Sequence, residues 1–411
     1  MTSEADAIIV GGGLAGGLAA LALAAEGLEV VLVDAEAPAR FRAETFDGRT
    51  TAIAYASARV FKRLGLWAGI ERDAEPILDI LVTDGRAASA GRTGAASAFH
   101  LHFDSRELEK ESALGYIVEN RVLRAAIYDA IGGNARITLI APARAGETRL
   151  TGAAARLALD DGRMLEAPLI VAADGKKSPL RTSAGIRCHS WNYPQTAIVA
   201  TVAHERSHDG VAQELFLPAG PFAILPMTGN RSSIVWTERA GAAPAYLALD
   251  DAAFLGELAR RFGDYLGALS LAGPRFSYPL AFHLAQSFAI PRLALIGDAA
   301  HAIHPIAGQG YNLGVKDIAA LAETLGDAKG VGLDIGSMAT LERYQRWRRF
   351  DSAMLAFGTD ALNRLYSNDL APLRFARDLG MGAVNAVGPL RKFFMRQAGA
   401  DLGRLPALMA P

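Results

Sequence analysis

The sequence predicts an α/β fold with a Rossmann-like domain, an antiparallel-sheet domain and C-terminal helices. Three observations predict it. The chain opens on a short apolar strand, a glycine turn, a small-residue helix and a second apolar strand, which is a βαβ unit. Between Gln195 and Glu238 come short apolar or alternating runs separated by turn residues, the pattern of an antiparallel sheet. After that sheet, residues 340–365 read as one long helix and further helical stretches close the chain.

Size and charge set the outer limits. A chain of 411 residues exceeds one ordinary compact domain and implies two. Its 42 basic and 43 acidic side chains nearly cancel, which removes a global electrostatic reason to expect nucleic acid or a strongly anionic surface as a partner and leaves only local basic clusters. Cys188 is the single cysteine, so no internal disulfide and no cysteine-based metal cluster can form, and a reducing compartment fits. The start, Met1 to Asp6, is acidic where a signal peptide is basic, and no long uncharged apolar run suits a spanning helix. A cytoplasmic protein is expected.

In the first unit, Ala7-Ile8-Ile9-Val10 is β-branched and stops at glycines, Leu14 to Glu26 is helical, Gly27 ends it, and Glu29 to Val33 is the second strand, closing at Asp34. Gly11, Gly13 and Gly16 stand at G-x-G-x-x-G spacing. The first permits the tight turn, the second lets a pyrophosphate approach backbone, and the third lets helix and strand pack closely. Leu14 and Ala15 then open a helix whose free N–H groups face the phosphate. Asp34 is placed to accept from a ribose hydroxyl. A glycine triplet alone is weak evidence; strand, triplet, helix, second strand and terminal acid together are not.

The second distinctive stretch is the buried strand Leu169 to Ala172 running into Asp174-Gly175, with a helix start near Ser178 and with Arg181. In isolation it is an ordinary strand-turn-helix connection. The third is Leu293 to Ile296, then Gly297-Asp298, His301, His304-Pro305, Gly308-Gln309-Gly310 and Asn312, opening a helix that runs through Leu325. Asp298 is placed to accept from a sugar or ribityl hydroxyl. The Gly308 to Gly310 backbone can approach a flat ligand at a helix N-terminus, whose positive end suits an anionic ring edge.

These three features, in this order, resemble the three fingerprints of the class A flavoprotein hydroxylases, the p-hydroxybenzoate hydroxylase type. Shorter stretches resemble the ubiquinone-biosynthesis subgroup: Asp47-Gly48-Arg49-Thr50-Thr51-Ala52-Ile53, Glu119 to Leu123, Trp191-Asn192-Tyr193-Pro194-Gln195, Gly220 to Pro226, and His304-Pro305-Ile306-Ala307-Gly308-Gln309-Gly310-Tyr311-Asn312-Leu313-Gly314. Asp34 stands where many flavoproteins carry Glu, with the same hydrogen-bonding logic.

The resemblance implies a discontinuous FAD-binding domain (1–75, 98–185 and 276–350), a substrate domain (76–97 and 186–275) and a C-terminal helical segment (351–411). It implies FAD held by Gly11, Gly13, Leu14, Ala15, Gly16, Asp34, Arg49, Arg121, Asp174, Gly297, Asp298, Pro305, Gly308, Gln309, Gly310 and Asn312. Arg49, Pro305 and Gln309 are the candidates for catalytic contact. Arg49 and Arg121 are equally readable as surface charges. The implied chemistry is reduction of FAD by NAD(P)H, activation of O₂ at the flavin C4a and transfer of one oxygen to a hydrophobic aromatic substrate, a polyprenylated phenol. No general base can be named.

Some features carry less. No metal-ligand spacing is evident, and His301 and His304 read as structural or flavin-facing. Arg343, Arg346, Arg348 and Arg349 read as a solvated or phosphate-facing helix side, with simple solvation the favoured reading. Pro389 to Arg396 mixes basic and large apolar residues, which suits a packed terminal helix or, since a prenylated substrate resides in the bilayer, docking on the inner-membrane surface or a biosynthetic complex. A halogenase of the same fold would require a Trp-x-Trp-x-x-Pro signature, whereas Trp191 and Trp236 stand alone. A reductase of this fold and a non-catalytic flavin-binding component remain the other readings.

Overall fold

The computed structural model describes residues 5–41, 48–85, 96–367 and 371–411. Met1 to Glu4 of the acidic start, Asp47 of the Asp47 to Ile53 stretch and residues 86–95 of the 76–97 segment lie outside the described residues.

Fully apolar runs of four residues become the centre of a six-stranded sheet, in the order Ala289–Ile290, Leu293–Leu295, Leu169–Ala172, Ala7–Val10, Val30–Val33, Ile137–Ile140. Every residue of Ala7–Val10, Val30–Val33 and Leu169–Ala172 is buried, as strands covered on both faces must be. Ala7 pairs in parallel with Val30 on one side and Leu169 on the other. The chain therefore winds outward in both directions from the first strand, and the cleft lies at the carboxyl ends where that direction reverses.

Helix Leu14–Ala25 is apolar nearly all round because it is sandwiched, packing against helices Asn120–Gly132 and Gln309–Gly330. The close packing is visible at Gly16, where a Cβ would fall 1.7 Å from the Gly11 carbonyl oxygen.

The second large sheet runs His301–Ala302, Phe276–Ala285, Cys188–His204, Arg231–Arg239, Gly220–Met227, Val211–Leu217, Asp79–Gly85 and Ala96–Asp104, with Leu269–Leu271 beside Cys188–His204. It is antiparallel except where Asp79–Gly85 joins Val211–Leu217 in parallel. That strand comes from an earlier part of the chain and enters from the opposite end. One face packs Ile198, Phe222, Ile234 and Trp236 against Phe254 and Leu258 of helix Asp251–Phe262.

Two short segments join the sheets, residues 286–288 between Phe276–Ala285 and Ala289–Ile290 and a second one further on. Leu293–Leu295 belongs to the first sheet, Gly297–Ala299 forms a 3-10 turn, and His301–Ala302 pairs with His283 and Leu284 of the second. Asp298 thus sits where the chain crosses between layers.

Helix Met338–Tyr366 is longer than the sequence suggests, runs without interruption through residue 350, and begins at Ser337, whose Oγ accepts from Thr340 N. One sequence expectation fails on it. Arg348 is not on a solvated face but is fully buried. It falls on the inward stripe with Leu341, Tyr344 and Ser352, and a buried carboxylate on the Gln309–Gly330 helix neutralises it. Helices Ala371–Ala386 and Gly388–Ala398 follow. The tail then returns to the body, where Met409 O accepts from Arg59 and Leu402 O accepts from Lys316 Nζ.

Candidate active site

The glycine turn is held by residues around it. Gly11 N donates to Val33 O at 2.8 Å, Gly12 N donates to Asp34 Oδ2, and the Tyr128 hydroxyl donates to Gly12 O at 2.8 Å. Asp34 Oδ1 accepts from Glu36 N at 2.7 Å. A carboxylate offers about four lone-pair sites, so Asp34 clamps the turn and keeps acceptor capacity for a ribose hydroxyl.

The helix that follows has no side-chain cap at Gly13 and no acid in its first turn. A Cβ on Gly13 would meet nothing within 4 Å, in contrast to Gly16. Open space over an uncapped helix N-terminus of 12 residues fits the pyrophosphate of a dinucleotide.

Asp174 and Asp298 close the middle of the cleft. Asp174 Oδ2 accepts from Leu180 N at 3.2 Å, while its Oδ1 is buried without a partner among the described residues. Burial raises its carboxyl above the usual range, against hydrogen bonds from Ser178 and Leu180. Such an orphaned acceptor fits a ligand hydroxyl. Asp298 is open to solvent at the cleft yet crowded by protein, and desolvation raises its carboxyl too. Arg181 ties the two turns together, donating to Ala299 O at 2.8 Å and to Lys176 O at 2.9 Å.

A buried charge network fixes the Gly297-Asp298 turn from behind. Asp317 Oδ2 accepts from Gly297 N at 3.1 Å and meets His301 Nε2 at 2.6 Å; Asp317 Oδ1 accepts from Arg348 Nε at 2.9 Å. Arg348 extends the network to Asp351 and Ser352. Burial pushes the Asp317 carboxyl up, but His301 and Arg348 prevail and hold it below the usual range.

The Pro305 to Gly310 loop leads into the 22-residue helix Gln309–Gly330. Gly308 adopts φ +62°, a left-handed conformation that a side chain would strain. No side chain caps this N-terminus and its first turn holds no acid, which suits the anionic edge of a reduced flavin. Asn312 binds the loop to strand Thr50–Ala54: its Nδ2 donates to Ala52 O at 2.9 Å and its Oδ1 accepts from Ala54 N at 2.8 Å. The Gln309 amide is engaged by the C-terminal helix, donating to Ala398 O at 2.9 Å. His304 is wholly buried, neither ring nitrogen has a partner among the described residues, and desolvation lowers its pKa to about 4.

Above the loop, Ile306 packs with Phe216 of the sheet and with Tyr366 and Met381 of the C-terminal helices; Phe216 and Tyr366 stack at 4.1 Å. The Trp191 to Gln195 stretch docks the sheet onto helix Met338–Tyr366. Tyr193 and Trp191 both donate to Asp360 Oδ1, and Asn363 Nδ2 donates to Gln195 Oε1.

Arg49 and Arg121 lie on neighbouring elements, since Thr50 pairs with Glu119 in register. Arg49 is exposed, and Arg121 Nε donates to Glu119 Oε2 at 2.6 Å, with Arg231 on the other oxygen at 3.0 Å. The structure therefore places the glycine turn, Asp34, Asp174 and Asp298 at the carboxyl ends of four adjacent parallel strands, with the 305–312 loop following the last of them. Sequence reasoning missed Tyr128, Asp317 and Arg348. The one signal for Asp317 is an acid inside the apolar run Leu313 to Leu321. Among the described residues no cluster of acids, histidines and cysteine could hold a metal.

The family model described as FAD binding domain matches residues 4–349. The ubiquinone hydroxylase UbiL of Rhodospirillum rubrum is 50% identical over 97% of this chain and 90% of its own length. The 3-demethoxyubiquinol 3-hydroxylase of Escherichia coli K12 is 35% identical over 97% of this chain and 99% of its own. Among solved structures, p-nitrophenol 4-monooxygenase from Pseudomonas putida DLL-E4 superposes with a TM-score of 0.79 at 20% identity, covering 98% of this chain and all of that one.

Proposed function

The chain belongs to the FAD binding domain family, and from that premise we propose that it is an FAD-dependent monooxygenase hydroxylating the aromatic ring of a polyprenylated phenol in ubiquinone biosynthesis. The observation that carries the reading is the near full-length similarity to two hydroxylases of ubiquinone or its precursor.

Bound FAD, reduced by NAD(P)H, supplies the activation of O₂, delivering one oxygen atom to the ring and the other to water. The chain's own residues bind, orient and exclude water. Gly13 and the start of helix Leu14–Ala25 take the pyrophosphate, Asp34 a ribose hydroxyl, and Asp298 and Asp174 hydroxyls of the ribityl chain or its neighbours. The N-terminus of helix Gln309–Gly330 faces charge on the ring, and Pro305 lines its approach. Phe216, Ile306, Tyr366 and Met381 form an apolar roof that keeps water away.

The division into FAD-binding segments (1–75, 98–185, 276–350), substrate segments (76–97, 186–275) and a helical end (351–411) is supported by the six-stranded sheet, whose strands all come from the first set. Most of the second sheet comes from the second set, although Phe276–Ala285, His301–Ala302 and most of Ala96–Asp104 belong to the first.

The test is deletion of the gene in its host, with mass spectrometry of the lipid extract. A prenylated phenol lacking one oxygen accumulates if the reading holds. Ubiquinone at wild-type level, in a host without a redundant hydroxylase, would overturn it and favour a small soluble phenol.

A further inference from the structure

The C-terminal helices turn large apolar side chains outward. Helix Met338–Tyr366 buries Leu341, Tyr344, Arg348, Ser352, Ala356 and Asn363 on one stripe, so its opposite stripe should be polar. It begins so, with Glu342, Arg346 and Arg349 exposed. From Phe350 onward the outer stripe changes character: Phe350 is 71% exposed, Met354 61% and Phe357 49%, followed by Leu362 and Leu365. The next two helices continue it with Leu379, Val387, Leu390, Phe393 and Phe394. Monomeric soluble proteins rarely leave so much contiguous apolar surface in water.

The exposed charges described on this face have one sign, although Arg364 pairs with Asp360 and Arg396 lies 3.9 Å from Asp401. Among the described exposed residues from Phe350 to Arg396, the charged ones are Arg364, Lys392 and Arg396, and none is acidic. The chain as a whole carries a slight excess of acids, so the bias is local. Aromatic and aliphatic side chains interleaved with cations are what a helix lying in a lipid headgroup layer presents. Among the described residues no helix is long and apolar enough to cross a membrane, so contact would be at the interface. Phe350 and Met354 also line a cavity of about 120 Å³ together with Gln309 and Asn312, at the start of the loop helix.

We propose that the outer face of helices Met338–Tyr366, Ala371–Ala386 and Gly388–Ala398 docks on an anionic lipid surface. Docking presents the cavity that reaches Gln309 to the bilayer, the place from which a prenylated substrate would come; that last link rests on the proposed function, whereas the docking does not.

The experiment is co-sedimentation of the full-length, FAD-loaded protein with phosphatidylcholine vesicles, with and without phosphatidylglycerol. Binding is expected with phosphatidylglycerol, falling as salt is raised. The pairs Phe393→Ser with Phe394→Ser, and Phe350→Ser with Met354→Ser, should each weaken partition by about tenfold or more, as should Lys392→Glu with Arg396→Glu. Retained flavin and an unchanged thermal midpoint show that the variants fold. The proposal is overturned if the wild type ignores both vesicle types, or if folded variants bind as the wild type does. It is equally overturned if the wild type is a dimer that Phe350→Ser with Met354→Ser dissociates while no vesicle binds, because the face is then a protein contact. None of these readouts depends on hydroxylation, so the docking and the substrate assignment fail separately.

Discussion

The two ends of the cofactor cleft are built by different means. At the nucleotide end, most of the parts lie within the first βαβ unit: a backbone turn, an uncapped helix and the Asp34 carboxylate, with the Tyr128 hydroxyl added from a later helix. At the ring end, the turn at Gly297 is fixed by Asp317, which is fixed by Arg348 from another helix, and the loop at 305–312 is held by Ala52, Ala54 and Ala398. The first end can lose its ligand without losing its fold. The second stores its geometry in a buried charge network, so damage there reaches stability first.

The largest effect expected is at Gly13. Because a Cβ there meets no protein atom within 4 Å, Gly13→Val should fold with apoprotein stability changed by no more than about 1 kcal/mol, yet retain almost no FAD. Flavin absorbance after purification and a urea melt of the apoprotein measure the two. Normal flavin content would remove the phosphate site from this turn. Loss of fold would erase the contrast between the ends.

Arg348→Met probes the other end. It leaves the wholly buried Asp317 carboxylate without its cation and should cost about 3–5 kcal/mol of stability, with FAD lost only in proportion to unfolding. A cost below about 1 kcal/mol would mean that His301 and the Gly297 N–H suffice.

Much of the nucleotide end was legible because its information is local. Glycine spacing, a β-branched strand and a terminal acid fall inside one stretch of sequence, and even Asp174 and Asp298 announce themselves as acids closing buried strands. The ring end was not legible to the same depth. Arg348 stands among three arginines that are not fully buried, and its partner lies 31 residues away on a different helix. Even the nucleotide end has one such long-range part, since Tyr128 reaches Gly12 across 116 residues. Helix periodicity places a side chain on a face but does not say whether that face meets water or a buried acid. The Trp191 to Gln195 stretch was legible as a match but not as a docking element, since its partners Asp360 and Asn363 lie on a helix of later sequence.

Acid should loosen the ring end before the nucleotide end. His283 on the sheet and His304 in the loop are both held at pKa about 4 by desolvation first, below the unfolded value of about 6.5. The unfolded chain therefore takes up protons that the folded one refuses. Stability is full above about pH 6.5 and falls as pH drops toward 4, by at most about 3 kcal/mol for each histidine. His304→Phe removes one titrating group without orphaning a partner, so the slope of unfolding free energy against pH between those limits should fall by about one proton. An unchanged slope would show that His304 is protonated in the folded protein.

The smallest effect is expected at Cys188, which opens strand Cys188–His204 opposite Ala285. Burial pushes its thiol above the usual range, with Arg181 opposing, so at neutral pH it is a protonated, weakly nucleophilic group. The site is only partly buried, which leaves a serine hydroxyl access to water in place of a hydrogen-bond partner. Cys188→Ser should therefore change stability by about 0.5 kcal/mol and leave flavin content and substrate-stimulated NAD(P)H oxidation near wild type. Because Arg181 also binds the carbonyl of Ala299, the variant doubles as a control on that tie. If flavin is lost while the fold survives, the Arg181 contact depends on the strand beneath it, and the two ends are coupled through this position rather than built independently.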